Sequence, residues 1–314
     1  MFRAAEGKLK WRRSSVATPK GMLTFFTTAK PFQELTAIHQ RNALKSWKNL
    51  APGVEVIVFG NDAGVAEACA ELGLRHESHM ELHGSGMKYL DYMFRRAQEI
   101  AGNDYLCYSN CDIIQMSAFR KAIEKSLAWR TQFLLVARRW DTDVNAPISF
   151  EKPGWEDRLR ELAVKTGKQQ IPDFIDFFVF PRGLYNEVPP LLVGRSYWDH
   201  WLVWKALSSE VPVVDASRFV VAVHQNHEYG YHPQGKQGTS EDDLARRNVE
   251  LAGNGKHLRS IPDATHAMTR KGTIVRTPLR RQATTLRELC SKQGFLNHTF
   301  DVRSKLGLRR RPTR

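Results

Sequence analysis

The chain predicts an α/β fold: an open, mostly parallel sheet flanked by helices, with a basic C-terminal extension. Two observations carry this. From residue 22 onward, short apolar runs alternate with stretches of helical periodicity, the β-α-β-α order of a parallel sheet with right-handed crossovers. Charge is also segregated. The 314 residues carry a net +14, with 6 Lys/Arg against 1 Asp/Glu in residues 1–20, 15 against 3 in residues 255–314, and 26 against 29 between them. The expected division is a basic N-terminal extension (1–20), a sheet-bearing domain (21–238), and a helix followed by a basic extension (239–314).

The elements follow in order. Residues 22–27 are rich in aromatic and β-branched side chains and read as the first strand, broken by Ala29-Lys30-Pro31. Residues 32–50 place Leu35, Ile38, Leu44 and Trp47 at helical spacing, closed by Pro52-Gly53. Residues 54–59 are a second strand ending at Gly60-Asn61-Asp62, and 63–72 a short helix. Residues 76–85 form a polar loop with His76, His79 and His83, whose spacing fits no metal motif. A helix (86–101) leads to the strand 104–108, then a helix (117–129), a strand (133–137) and a charged helix (155–166). The strand 176–180 is ended by Pro181-Arg182-Gly183. The latter part of 195–204 is helical, 211–214 and 219–223 are short strands, and Ser240-Glu-Asp-Asp opens a helix with a good cap and an acidic first turn. Beyond Gly253 periodicity fades.

Composition sets the class. A hydrophobic content of 42% with 10% aromatics supports a sizeable core and excludes wholesale disorder. No apolar run reaches the roughly 18 residues that span a bilayer, and residues 1–20 lack an apolar signal core. Cys69, Cys107, Cys111 and Cys290 form no CxxC pair and no zinc spacing, so they read as reduced thiols of a cytoplasmic protein. The basic ends suit an anionic partner, such as a membrane surface, an acidic glycan or nucleic acid, or are solvated tails. Walker, GxSxG, HExxH and strand-linked GxGxxG motifs are absent.

Three polar clusters follow apolar strands, where the ligands of open α/β sheets bind. Asp62 can accept hydrogen bonds from a ribose or base, or simply close an Asn/Asp turn. In Asn110-Cys111-Asp112, the carboxylate can hold a divalent cation completed by phosphates, or cap the next helix. In the third cluster, Arg195 suits a phosphate or carboxylate. Asp199, among Trp198, Trp201 and Trp204, sits where an acid can acquire a raised pKa and act as a general base. His224, ending the last strand, can complete a metal shell or touch a diphosphate. His227, Tyr229, Tyr231 and His232 follow it in a glycine-bearing stretch suited to a ligand-facing loop.

Together these residues resemble the GT-A glycosyltransferases, over roughly residues 22–238. Phe178-Val-Phe-Pro-Arg-Gly183 and His224-Gln-Asn-His-Glu-Tyr-Gly-Tyr-His232 look like a bacterial and plant group of that superfamily. The resemblance implies a GT-A-like sheet and a nucleotide-sugar donor. In that family an Asp-x-Asp motif holds a divalent metal. Here Asn110 replaces the first acid, so Asp112 would carry manganese or magnesium and Asn110 would reach sugar or ribose. Asp62 would contact the nucleoside, Arg195 and Asp199 would match the acceptor-side motif of inverting members, and His224 would meet metal or diphosphate. The expected activity is transfer of a sugar to a hydroxyl acceptor, glycan or lipid-linked, with peripheral membrane contact through the basic ends. A sugar-nucleotide nucleotidyltransferase is the competing enzyme, although Ala29-Lys30-Pro31 does not supply its Gly-rich loop. A basic glycan- or nucleic-acid-binding protein is the non-enzyme alternative, but that reading leaves the three clusters unexplained.

Overall fold

A computed structural model describes residues 23–227, 240 and 242–278. Strands β1 (Thr24–Thr28), β2 (Glu55–Phe59), β3 (Arg75–Glu77), β4 (Tyr105–Ser109), β6 (Leu134–Val136), β9 (Phe177–Pro181), β10 (Val213–Asp215), β12 (His266–Met268) and β13 (Ile274–Arg276) build a nine-stranded sheet in the order β13-β12-β10-β6-β9-β4-β1-β2-β3. Neighbours run parallel except around β9, which is antiparallel to both β4 and β6, and at the β12–β13 edge.

Alternation along the strands creates two cores. Phe26, Leu106, Tyr108, Phe178 and Phe180 face one side, and Phe25, Val56, Val58, Cys107 and Val179 the other. The first side is covered by α3 (Leu90–Ile100) and α6 (Trp198–Ser208), the second by α1 (Glu34–Lys48), α2 (Val65–Leu72) and α4 (Ser117–Trp129). With helices on both faces the central strands are buried throughout, which is why they read as continuous apolar runs. Phe26, Phe94, Phe180 and Tyr185 meet edge-on or stacked with centroids 4.7–6.1 Å apart.

A second, four-stranded sheet stands beside the carboxyl end of β4. Its order is β5 (Ile113–Ile114), β11 (Ala222–Gln225), β7 (Arg139–Thr142) and β8 (Lys168–Gln169), backed by α5 (Trp155–Lys165). Of its strands only β11 was expected, as residues 219–223; the other three have two to four residues, too short for an alternation to declare itself. Two further expectations are corrected. The stretch beyond Gly253 contains β12 and β13, which extend the large sheet, after α7 (Asp243–Leu251). The loop of residues 76–85 begins inside β3, where His76 Nε2 lies 2.8 Å from the Gly60 carbonyl. Cys69, Cys107 and Cys111 are free and buried, and burial pushes the Cys69 thiol up to about 11. Cys290, residues 1–20, the stretch with Tyr229, Tyr231 and His232, and the basic residues past 278 lie outside the described residues. No helix among the described residues is long and apolar enough to cross a membrane.

Candidate metal and donor site

Strand β4 delivers Asn110 and Asp112 to the mouth of the sheet, and the small sheet then fixes them. Asn110 N–H donates to the Asp176 carbonyl (2.9 Å), and the Asp112 carbonyl accepts from both the backbone N–H (3.3 Å) and the side-chain amide (3.1 Å) of Gln225. Gln225 follows His224 on β11, so these bonds bring His224 alongside Asp112. Gln225 is itself held by Asn42 of α1, whose amide donates to Gln225 Oε1 at 3.0 Å. Trp47 Nε1 donates to the Ile113 carbonyl at 2.8 Å and secures the turn from α1.

The result is a compact ligand set. Asp112 Oδ2 lies 3.2 Å from His227 Nε2 and 3.8 Å from His224 Nε2. One ligand atom from each of Asp112, His224 and His227 falls within 4.8 Å of the others. Asp112 Oδ1 is buried without a hydrogen-bond partner. An orphaned anionic oxygen beside two imidazoles is a cost in a closed core and an asset in a cation site, so the donors present fit a divalent ion. Burial alone would push the Asp112 carboxyl up, but His224, the hydrogen bond from His227 and the nearby Lys30 outweigh it and hold the group well below the usual carboxylate range. The nitrogen-rich set is compatible with manganese and less typical of magnesium. His227 is a ligand candidate that sequence reading placed only in the surrounding loop; its spacing of three from His224 was the available signal.

Asn110 is oriented rather than loose. Its amide donates to Asp176 Oδ1 (2.6 Å), and its own Oδ1 accepts from the Tyr108 hydroxyl (3.1 Å). Asp176 in turn receives Arg139 Nη1 on both oxygens at 3.1 Å. Asp199 sits in the first turn of α6, where Tyr197 holds the left-handed conformation (φ 82°) before it. Burial raises the Asp199 carboxyl, and Asp176 adds to the rise, while His200 and backbone N–H groups oppose it. Burial raises the Tyr108 hydroxyl, and the charges of Asp112, Asp176 and Asp199 add to the rise.

Asp62 closes the β2 end of the crevice. Its Oδ2 is paired with Lys88 Nζ, which also donates to the Ala29 carbonyl at 2.7 Å. A Cβ at Gly60 (φ 99°) would stand 3.3 Å from Asp62 Oδ2, so glycine lets that carboxylate fold back over the strand end. Arg195 is engaged elsewhere: its Nε donates to Asp242 Oδ2 at 2.6 Å, and Asp242 caps α7 by accepting from Ala245 N–H at 2.8 Å. A cavity of about 430 Å³ lies beside the cluster rather than at it, walled by Asp143, Val144, Pro147, Trp155 and Leu162; Asp143 accepts from Asn226, next to His227.

No family model and no curated protein matches the chain. Among solved structures it is similar to glucosyl-3-phosphoglycerate synthase from Mycobacterium tuberculosis in complex with Mg2+ and uridine diphosphate, at 12% identity over 82% of this chain and 88% of that one, with a TM-score of 0.47. The same enzyme with Mn2+, uridine diphosphate and glucosyl-3-phosphoglycerate gives 12%, the same coverage and 0.46. S. aureus TarS, residues 1–349, gives 11% over 65% of this chain and 60% of that one, with 0.43.

Proposed function

We propose that the protein is a metal-assisted glycosyltransferase that moves a sugar from a nucleotide-sugar donor to a hydroxyl acceptor. One observation carries this reading: a buried Asp112 carboxylate with an unpartnered oxygen, flanked by His224 and His227 at the mouth of a parallel sheet. Asp112, His224 and His227 would hold the divalent ion, which supplies Lewis-acid neutralisation of diphosphate charge. Asn110, fixed by Tyr108 and Asp176, presents its amide to sugar or ribose, and Asp62 faces the nucleoside.

Asp199 takes the acceptor proton. The acceptor oxygen forms a bond to the anomeric carbon, the bond from that carbon to the diphosphate oxygen breaks, and the nucleoside diphosphate leaves with the electron pair. A carboxylate raised by burial is a better base than an exposed one at neutral pH. Arg195, tied to Asp242, supports this chemistry by anchoring α7. The basic ends, with net charges of +5 and +12 in residues 1–20 and 255–314, suit an anionic surface carrying lipid-linked acceptors.

The test is thermal stabilisation by UDP, GDP and CMP, each with and without Mn2+. At least one nucleotide should raise the melting temperature in a Mn2+-dependent way, and Asp112→Asn should abolish that increment. Stabilisation by none of the three would sink the transferase reading.

A further inference from the structure

His224 stands between two carboxylates. Its Nε2 faces Asp112 Oδ2 at 3.8 Å, and its Nδ1 faces Asp141 Oδ1 at 3.1 Å. Asp141 lies directly across from His224 in the parallel β7–β11 register, so strand pairing alone puts the two side chains on one face. His224 is buried, with side-chain exposure at 5%, and Asp141 is half-buried at 16%. Asp141 is itself anchored. Its Oδ1 lies 2.8 Å from Arg139 Nε, and its Oδ2 accepts from the Gln170 amide at 2.6 Å. Arg139 Nε and His224 Nδ1 thus approach the same carboxylate oxygen.

We infer that Asp141 is a positioning residue for the metal site: it holds the His224 proton on Nδ1 and so presents the Nε2 lone pair to the ion. A histidine ligand generally donates its other N–H to such a carboxylate, which fixes tautomer and ring orientation. Arg139 extends the device. Its guanidinium touches Asp141 with one nitrogen and Asp176 with another, and Asp176 orients Asn110. One buried cation thus ties the support of a metal ligand to the support of a donor-facing amide. Nothing in the sequence marks Asp141, since the stretch after residue 137 shows no strand pattern and its partner strand is more than 80 residues away.

This inference rests on the metal reading of Asp112, His224 and His227, and the experiment separates the two. Mn2+ binding is measured by loss of the free-ion EPR signal in the full chain and in its Asp141→Asn variant, alongside the melting temperatures of both metal-free proteins. Asp141→Asn is expected to bind Mn2+ roughly 10- to 100-fold more weakly at a temperature well below its melting point, which the lost pairing with Arg139 lowers. Affinity within twofold of the parent overturns the role of Asp141 while leaving the metal site standing. Absence of Mn2+ binding in the parent overturns both. Should Asp141→Asn not fold, long-range 1H–15N NMR of the parent loaded with diamagnetic Cd2+ decides alone: a protonated Nδ1 and a cadmium-coupled Nε2 on His224 support the inference, and the reverse assignment overturns it.

Discussion

Asp199 and Arg195 make opposite predictions although they lie four residues apart. In the folded state Asp199 holds its proton more tightly than in the unfolded chain. The stability tied to that proton is present below the ordinary carboxylate pKa and is lost as pH rises through the raised folded value. At neutral pH the ionised carboxylate is therefore a burden. Asp199→Asn should abolish transfer, retain nucleotide binding, and melt higher than the parent at pH 7, an advantage that shrinks on acidification. In the parent, kcat/KM should fall with acid through a pKa above the usual carboxylate range, because a base must be unprotonated. For Arg195→Ala the expectation is structural. Removing it takes the guanidinium donor from Asp242 Oδ2 at the start of α7, costing about 1–3 kcal/mol in denaturant titration, with KM for donor unchanged in the folded fraction. The strand before Asn110 and Asp112 was legible in the sequence as an apolar run, and the run before His224 was expected as a strand at residues 219–223, close to the observed Ala222–Gln225. That Arg195 serves α7 was not legible, since its partner lies 47 residues away across a surface no local pattern describes.

The elements that position the site are the least conspicuous. Helix α5 turns back into β8 at Gly167, and a Cβ there would stand 2.5 Å from the Ala163 carbonyl and 2.8 Å from the Asp141 carbonyl. Only a hydrogen side chain lets the turn approach β7 this closely. Gly167→Ala should cost about 1–3 kcal/mol and displace β7, so Mn2+ affinity should fall together with the melting temperature. The long, apolar strands of the large sheet could be read from the sequence because burial on both faces leaves an unmistakable run. Of the small sheet only β11 could. Its strands are mixed in polarity because one face packs on α5 while the other carries Asp141 and His224. Direction was also hidden: the composition of β9 is that of the strands on either side, and only its register shows that it runs antiparallel to both.

At the scale of the whole molecule, charge and architecture divide the work. The near-neutral middle builds the site, the small sheet and all of the large sheet but β12 and β13, and the excess of cations sits at the two ends. If the ends serve an anionic surface, removal of residues 279–314 should weaken co-sedimentation with vesicles containing phosphatidylserine, lower the salt sensitivity of that binding, and leave nucleotide-dependent stabilisation intact. Equal vesicle binding by the shortened chain would make the C-terminal cations bystanders.

Strand β9 carries a consequence for synthesis. In the large sheet, β3, β2, β1 and β4 form one hydrogen-bonded half and β6, β10, β12 and β13 the other, and β9 is the strand between them. A ribosome releases β1 to β4 and β6 before residues 177–181 exist. Until then the facing edges of β4 and β6 are open templates, apolar on both sides and free to pair with another nascent chain. The interval between residues 136 and 181 is therefore when the growing polypeptide most needs a chaperone, and synonymous codon changes that slow translation there should lower soluble yield without altering a single side chain of the finished protein.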